Sequence, residues 1–157
     1  MGGGASGTPP QLSLKLDDQL CFALYAASRA VISRYRPVLD ELGLTYPQYL
    51  VMLVLWEHGA VPVKEVGAAL QLDYGTLTPL IKRLEVAGLV RRERRVDDER
   101  TVQVIPTEKG LRLHERAHAV PAVMAGAMGL NEDELAQIRS LLRRLTENVS
   151  RDAGRGA

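Results

Sequence analysis

The chain has 157 residues, of which 46% are hydrophobic and 25% are charged, with a net charge of +1. These values are typical of an ordinary globular protein long enough for one domain or for one protomer of an intertwined dimer. No apolar run approaches the roughly 18–20 residues of a bilayer span, so we predict no membrane association. A single cysteine excludes an internal disulfide framework and is consistent with a reducing cytoplasm.

The two ends of the chain differ in composition from the middle. Residues 1–10 are rich in Gly, Ser and Pro and have neither the basic start nor the apolar centre of a signal peptide. We therefore predict flexible tails over residues 1–13 and 151–157.

Helix signals dominate the first part of the chain. Asp17 or Asp18 is placed to cap a first helix that is predicted to end at Arg36, because Pro37 cannot continue it. A short second helix is predicted over residues 37–42, closed by Gly43.

A third helix follows, capped by Thr45 and predicted over Pro47–His58, with Gly59 as its stop. Its apolar residues lie nearly all round the helix, which predicts a central buried position.

The next segment carries a helix-turn-helix pattern. Residues 61–63 are long enough only for an edge strand, and residues 64–70 form an amphipathic helix whose inward side chains are predicted to be Val66, Ala69 and Leu70. Asp73 is predicted to cap a second helix over Gly75–Ala87 that carries threonine, lysine and arginine side chains, as a recognition helix does.

A charged hairpin is predicted directly after this helix. Residues 89–95 and 101–105 have the alternation of strands, and the polar residues 96–100 form the tip between them. A charged hairpin in this position is the wing of a winged helix.

Two further helices are predicted at the C-terminal end. Thr107 caps a long helix that continues past Val123, and Asn131 with Glu134 forms a capping box for the last helix. The last helix has an apolar stripe: Leu135, Ile138, Leu141, Leu142, Leu145 and Val149. We interpret this stripe as part of a dimer interface; packing within one protomer is the alternative.

The predicted fold is therefore mainly α: a winged helix-turn-helix with a two-stranded wing, and N- and C-terminal helices that form an intertwined dimer interface. Residues 14–44 are assigned to N-terminal dimerisation and sensing, 45–106 to the DNA-binding domain and 107–150 to C-terminal dimerisation.

DNA binding is the function that the charge pattern favours. Residues 82–100 hold seven cations against five acids, a surplus too small for an indiscriminate polycationic patch. The cations instead lie on two elements, the recognition helix and the wing, which could contact one duplex from two sides. The recognition helix would meet the major groove and Arg100 of the wing the narrow minor groove, with Asp98 orienting Arg100. The predicted DNA-binding residues are Asp73, Gly75, Thr76, Thr78, Pro79, Lys82, Arg83, Asp98 and Arg100.

Cys21 is the only thiol, and it lies near the predicted start of the first helix. The positive end of a helix dipole favours the thiolate, which is the form that attacks peroxides and disulfides. Tyr25 falls one turn further on the same face and offers a hydroxyl. The alternative for Cys21 is a buried small hydrophobe, since free cysteine is among the most buried residue types.

Residues 114–118 match the zinc-protease pattern H-E-x-x-H. Arg116 stands where such enzymes normally have an apolar residue, no third ligand is evident, and the chain is too short for a flanking substrate cleft. We therefore predict no metal site, no cofactor and no enzymatic activity.

From about Leu14 to Leu145 the chain resembles the MarR family of winged-helix repressors, and within it the organic-hydroperoxide-sensing branch, the OhrR regulators. Residues 72–79 (LDYGTLTP), 98–100 (DER) and 107–110 (TEKG) match the family broadly. Residues 19–25 (QLCFALY), 45–49 (TYPQY) and 55–58 (LWEH), with Tyr35, match the hydroperoxide branch. Tyr74, in place of a small serine, and Pro106, in place of a leucine, depart from the pattern.

The resemblance implies that Cys21 is a redox sensor with Tyr25 and Tyr35 as hydrogen-bonding partners. Cys21 and Tyr35 are fourteen residues apart on one predicted helix, about 21 Å along its axis, so the pairing needs Tyr35 of a second subunit. Phe22, Leu24, Tyr46 and Trp56 are candidates for an apolar hydroperoxide pocket.

We therefore expect a homodimeric repressor that binds near-palindromic operator DNA when Cys21 is reduced and releases it on oxidation by an organic hydroperoxide. A low-molecular-weight thiol is the expected partner for oxidised Cys21, because the chain has no second cysteine.

Two alternatives stay open. One is a repressor released by a small phenolic ligand, with Cys21 a bystander. The other is a thiol peroxidase, disfavoured because there is no resolving cysteine.

Overall fold

A computed structural model describes residues 13–154 of the chain. Over these residues the chain forms seven α-helices and a three-stranded antiparallel sheet. The helices are α1 (Leu20–Asp40), α2 (Tyr46–His58), α3 (Val63–Leu70), α4 (Tyr74–Val86), α5 (Glu108–Ala117), α6 (Val120–Met128) and α7 (Glu132–Ala153). The strands are β1 (Val61–Pro62), β2 (Val90–Arg94) and β3 (Val102–Pro106).

The sheet confirms the predicted wing and its edge strand. Strand β3 lies in the middle, with β2 on one side and the two-residue β1 on the other. Val90 is paired with Pro106 and Arg94 with Val102 across the hairpin, while Val61 is paired with Val104. Because β1 anchors β3 next to the helix-turn-helix, the hairpin extends from a fixed base.

Helix α2 is the centre of the core, as its all-round apolar sequence predicts. Val51, Met52 and Leu55 are fully buried. Side chains from the surrounding elements pack into the same cluster, among them Leu39, Val66, Leu77, Ile81, Leu84, Val90 and Val104. The recognition helix α4 is therefore held on its inner face by α2, which leaves its outer face free.

The predicted stop at Pro37 is wrong. Helix α1 continues through Pro37 to Asp40, and the predicted short helix over residues 37–42 is its last turn. A proline inside a helix costs about 3 kcal/mol. Full burial of Leu39 on the far side of Pro37 is the tertiary contact that opposes this cost. Gly43 then ends the helix in a left-handed conformation.

The predicted cap of α1 is also wrong. Asp17 and Asp18 lie in a short 3-10 turn, and Gln19 occupies the capping position without a capping hydrogen bond from its side chain. Asp18 instead accepts a hydrogen bond of 2.6 Å from the Ser13 hydroxyl. Cys21 is therefore the second residue of α1, closer to the helix start than predicted.

The predicted long helix after Thr107 is broken in two. Thr107 caps α5 as expected, but α5 ends at Ala117 and α6 begins at Val120. Pro121 in the first turn of α6 lacks the N–H that a continuous helix needs and clashes with the preceding turn, so the break falls just before it. The prediction that the Ala69 side chain faces the core is also wrong. Ala69 is exposed, whereas Gly67 is buried.

Helix α7 begins at the predicted capping box, in which Asn131 and Glu134 exchange hydrogen bonds of 2.9 Å with each other's backbone N–H. It runs to Ala153, three residues into the predicted C-terminal tail; residues 155–157 and most of the predicted N-terminal tail lie outside the described residues. None of its residues is buried within the protomer. No helix within residues 13–154 is long and apolar enough to cross a membrane.

One close backbone approach ties α5 to the rest of the fold. Gly110 packs against the backbone carbonyl of Leu89 and against Met52, and its own carbonyl accepts a hydrogen bond of 2.9 Å from the indole nitrogen of Trp56. A β-carbon at this position would overlap the Leu89 carbonyl. A residue larger than glycine therefore does not fit at position 110 unless the backbone shifts.

We expect Gly110→Ala to lower the free energy of unfolding by about 1–3 kcal/mol, the range for overpacking a tight site. Urea unfolding followed by circular dichroism measures the change. Gly126→Ala is the matched control: Gly126 is exposed in α6, with open space where a β-carbon would lie, so alanine there should be neutral or stabilising by up to about 1 kcal/mol. Equal unfolding midpoints for the two variants would contradict the packing argument.

Candidate functional site

Cys21 lies on the surface of the protomer. It is exposed and occupies the first turn of α1, whose start has no side-chain cap. Tyr25, one turn further along the helix, is also exposed, and the guanidinium of Arg29 lies 5.4 Å from the centre of its ring. The structure therefore places Cys21 and Tyr25 together on one accessible face.

Tyr35 lies in a different environment at the other end of α1. Its ring is half-buried against Tyr46, with ring centres 4.7 Å apart, and against Tyr49 at 5.9 Å. Burial, followed by the charges that Tyr46 and Tyr49 would carry, raises the pKa of Tyr35 to about 12. The Tyr35 hydroxyl is therefore a protonated hydrogen-bond donor at neutral pH.

Cys21 and Tyr35 do not meet within one protomer. Helix α1 is continuous from Leu20 to Asp40, so fourteen residues of helix separate them by about 21 Å. Of the three predicted sensor residues, the structure brings together Cys21 and Tyr25 and leaves Tyr35 apart.

The four residues predicted to form a hydroperoxide pocket do not line one cavity. Tyr46 lines a groove of about 900 Å³ together with Tyr35 and side chains of α6 and α7, while Trp56 lines a separate cavity of about 410 Å³. Phe22 and Leu24 lie on the first turns of α1 and line neither. One protomer alone therefore does not assemble the predicted pocket.

The start of the recognition helix is fixed by Asp73. Its carboxylate accepts a hydrogen bond of 2.7 Å from the Thr76 backbone N–H, which holds the pKa of Asp73 below its ordinary value. Gly75, Thr76 and Pro79 are exposed on the outer face of α4. Thr78 is half-buried, and its hydroxyl donates a hydrogen bond of 2.8 Å to the Tyr74 carbonyl, so the hydroxyl proton is used within the helix.

Most cations of the wing are already paired with acids. Arg92 forms hydrogen bonds with Glu85 of α4 through its backbone N–H and its side chain, and Arg95 donates to both carboxylate oxygens of Asp97 at 2.9 and 2.7 Å. Arg91 is paired with Glu93. The Arg94 side chain donates to the backbone carbonyl of Glu99.

Three cations of this region differ from the rest. Lys82, Arg83 and Arg100 are exposed, and their side chains form neither an ion pair nor a hydrogen bond with any of residues 13–154, whereas Arg94 is held by the Glu99 carbonyl. They are the three basic residues that the sequence assigns to DNA. The positive charge that is free to contact DNA therefore lies at two places, on α4 and at the tip of the wing.

Asp98 acts on the wing backbone rather than on the Arg100 guanidinium. One carboxylate oxygen accepts from the Arg100 backbone N–H at 3.1 Å, and the other accepts from the Thr101 hydroxyl at 2.7 Å. A contact between Asp98 and the Arg100 guanidinium is therefore absent from residues 13–154, and Asp98 instead fixes the turn from which the Arg100 side chain begins.

The sequence did not predict two contacts, one at the DNA-binding surface and one in the aromatic cluster around Tyr35. The bond between Glu85 and Arg92 ties the end of α4 to β2, and seven residues separate the partners, so no local periodicity indicates it. Tyr49 completes the aromatic cluster around Tyr35 from the buried face of α2, where the all-apolar pattern hides a phenol among core residues.

The described residues contain no group of three or more His, Cys, Asp or Glu side chains placed to hold a metal ion. His114 and His118 of the H-E-x-x-H segment lie side by side, with ring centres 4.6 Å apart. The geometry of a zinc protease, which needs a third ligand, is absent from this part of the chain.

Comparison with known proteins agrees with this geometry. Residues 33–116 match the family model described as transcriptional regulator SarA/Rot. The chain is 46% identical over 136 residues to the organic hydroperoxide resistance transcriptional regulator of Bacillus subtilis, an alignment that covers 87% of this chain and 92% of that regulator.

Solved structures show the same relationship. Reduced AbfR bound to DNA has a TM-score of 0.71 and 36% identity, covering 85% of this chain and 93% of its own; AbfR is from Staphylococcus epidermidis. Overoxidised AbfR bound to DNA gives 0.69, also at 36% identity, covering 84% and 93% of the two chains. PcaV of Streptomyces coelicolor, in complex with its natural ligand, gives 0.78 at 26% identity over 87% and 97% of the two chains.

The relatives are transcriptional regulators, so this chain is a DNA-binding regulator rather than an enzyme. Its winged helix, capped recognition helix and single thiol, taken with these identities, show that the chain belongs to the MarR family of winged-helix transcriptional regulators, in the branch of the organic hydroperoxide regulators.

Proposed function

We propose that the protein is a homodimeric repressor that binds operator DNA while Cys21 is reduced and releases it when an organic hydroperoxide oxidises Cys21. The observation that carries the proposal is the position of Cys21. The only thiol of the chain is exposed in the first turn of α1, in a sequence 46% identical to an organic hydroperoxide regulator.

The dimer is proposed from the surface of α7. Its stripe exposes Ile138 (43%), Leu141 (54%), Leu142 (39%) and Val149 (62%) to solvent in the protomer. A contiguous apolar face of this kind on a winged-helix protein is covered by a partner. A second copy of the chain with twofold symmetry would cover it and present two recognition helices to a near-palindromic operator.

The same symmetry brings the sensor residues together. Because Cys21 and Tyr35 are about 21 Å apart on one helix, we propose that Tyr35 of the partner subunit donates its hydrogen bond to the Cys21 sulfur. Tyr25 supplies a second hydroxyl from the same subunit as the thiol. Tyr35 fits this role because its raised pKa keeps the phenol protonated.

The chemistry has two steps. The Cys21 thiolate attacks the terminal oxygen of the hydroperoxide, the O–O bond breaks, and the sulfur becomes a sulfenic acid, while the alkoxide released takes a proton from water and leaves as the alcohol. A low-molecular-weight thiol then attacks the sulfenic sulfur, forming a mixed disulfide and releasing water. An external thiol is needed because the chain has one cysteine.

The mixed disulfide is the form that we expect to release DNA. AbfR is bound to DNA in both its reduced and its overoxidised structures. Overoxidation is thus compatible with bound DNA in that relative. A bulky adduct at Cys21 would displace Tyr35 of the partner, and a hundredfold loss of DNA affinity requires only about 2.7 kcal/mol of coupling.

A second function has one observation in its favour. The groove that contains Tyr35 and Tyr46 is also lined by Arg139 and Arg143, a combination that suits a phenolic or carboxylate ligand. PcaV, at 26% identity, is in complex with its natural ligand. In this alternative the ligand releases the operator and Cys21 has no part in it.

Cys21→Ser tests the redox proposal directly. We expect cumene hydroperoxide with a small thiol to release the native dimer from operator DNA and to leave the variant bound, because serine cannot form the sulfenic acid. Fluorescence anisotropy of labelled operator measures both. Equal release of the two proteins would contradict the proposal, and release of the variant by a phenolic acid would support the alternative.

Two mixed dimers test assembly across the interface. The first pairs a Cys21→Ser subunit with a Tyr35→Phe subunit; the second pairs a native subunit with one that carries both substitutions. Each contains one thiol. If Tyr35 acts on the partner's Cys21, the thiol of the first dimer faces tyrosine and that of the second faces phenylalanine.

We therefore expect the first mixed dimer to react with cumene hydroperoxide at the native rate per thiol, and the second at least about tenfold more slowly, because the thiolate loses a stabilising hydrogen bond. Mass spectrometry of oxidised Cys21 over time measures the rates. The reverse order would place Tyr35 and Cys21 in one subunit.

The three free cations set the salt dependence of DNA binding. Each phosphate neutralised contributes about −0.9 to the slope of log K against log salt, so Arg100→Ala should reduce the slope of the dimer by about 2. The matched control replaces the paired wing residues together, Arg95→Gln with Asp97→Asn, which leaves the net charge unchanged. A control that reduces the slope as much as Arg100→Ala would contradict the assignment.

A further inference from the structure

Two imidazoles lie on consecutive turns at the C-terminal end of α5. His114 is half-buried, and His118, four residues on, is exposed and still has helical backbone angles of −58° and −27°. Residues four apart share one helix face, and here the ring centres are 4.6 Å apart with an angle of 48° between the planes. The helix therefore fixes the separation of the two rings.

The surroundings leave both imidazoles available as ligands. Neither ring forms a hydrogen bond or an ion pair with any side chain or backbone group of residues 13–154. Both rings line a cavity of about 410 Å³ that also contains Glu57 of α2. The opposite face of His114 packs on Trp56, with ring centres 5.3 Å apart, which restricts rotation of the ring.

We propose that His114 and His118 form a binding site for one divalent transition-metal ion of the copper or nickel type, with water in the remaining coordination positions. Imidazole is a ligand for both ions. The two ring centres are close enough for both imidazoles to reach one ion through metal–nitrogen bonds of about 2.0 Å. Cu²⁺ and Ni²⁺ adopt square-planar or tetragonal geometry, in which two neighbouring imidazoles fill adjacent positions about 90° apart.

This site differs from a zinc-protease centre. It has two protein ligands, because no third His, Cys, Asp or Glu side chain of the described residues is placed to join them. Glu57 lines the same cavity without reaching a coordinating position, and so is available to accept a hydrogen bond from a metal-bound water. The proposed site binds a metal and catalyses nothing.

The location gives the site a structural consequence. His118 stands at the break between α5 and α6, and Trp56 connects His114 to α2. A metal ion held by both imidazoles would fix the last turn of α5 against this break. Because a ligand that binds only the folded state stabilises it by mass action, the metal should raise the melting temperature.

Trp56 provides the test, because it is the only tryptophan of the chain and lies against His114. The titration uses CuSO₄ and the full-length Cys21→Ser protein, so that the thiol neither binds nor reduces copper. We expect saturable quenching of Trp56 fluorescence at one copper per chain, since a paramagnetic ion at this site is close to the indole. Affinity should follow the order Cu²⁺ > Ni²⁺ > Zn²⁺.

His118→Ala in the same background should weaken copper binding at least about tenfold, because one of two ligands is lost. His58→Ala is the matched control: His58 lies on α2 beside Glu57 and should leave the affinity unchanged. His118→Gln provides a second variant in case alanine impairs folding, which circular dichroism reports. Unchanged affinity in both His118 variants, equal weakening by His58→Ala, or tighter binding of Zn²⁺ than Cu²⁺ would overturn the proposal.

Discussion

The rigid length of α1 is the constraint on which the proposed mechanism depends. A helix that is continuous from Leu20 to Asp40 holds Cys21 and Tyr35 apart, and no side-chain rotation closes a gap of about 21 Å. Any direct contact between the thiol and this phenol must therefore cross between subunits. Both residues precede Pro37, so the separation is the same whether the helix ends at Arg36, as predicted, or at Asp40, as observed.

The second constraint is how charge is distributed over the DNA-binding surface. Three arginines of the wing, Arg91, Arg92 and Arg95, form ion pairs, and the pair of Arg92 with Glu85 also fastens the wing to the recognition helix. Among the cations of residues 82–100, only the side chains of Lys82, Arg83 and Arg100 form neither an ion pair nor a hydrogen bond with the described residues. A surface with few free cations binds DNA with a modest electrostatic contribution, and so a small coupling energy is enough to release it.

Local signals in the sequence predicted local structure well. Thr45, Asp73, Thr107 and Asn131 cap the helices that they were predicted to cap, because a cap depends on a side chain and a backbone N–H three residues away. The predictions failed where distant contacts decide the outcome. At Pro37 the burial of Leu39 overrides the proline, and at Gly67 close packing against Leu77 takes the place predicted for Ala69.

The candidate site likewise contains features that the sequence predicted and features that depend on distant contacts. The cations that the sequence assigned to DNA are the unpaired ones, although the pairing of the others, such as Arg95 with Asp97, was not predicted. Cys21 is proposed as the sensor from its helix position and from being the only cysteine of the chain, and its exposure is compatible with that proposal. The predicted apolar pocket is not formed by one protomer. The walls of a pocket depend on which helices face each other, and local sequence patterns do not indicate that.

The packing around Tyr35 connects the proposed switch to the DNA-binding surface. Tyr35 contacts Tyr46 and Tyr49 of α2, and α2 carries Val51 and Leu55 into the core against which α4 rests. An adduct that displaces Tyr35 would therefore act on the helix that supports the recognition helix. Close-packed cores respond to such a push by moving elements together rather than by compressing, because packing density leaves few voids. In a dimer with two recognition helices, a shift of α2 changes their spacing, and spacing must match the helical repeat of the operator for both helices to bind at once.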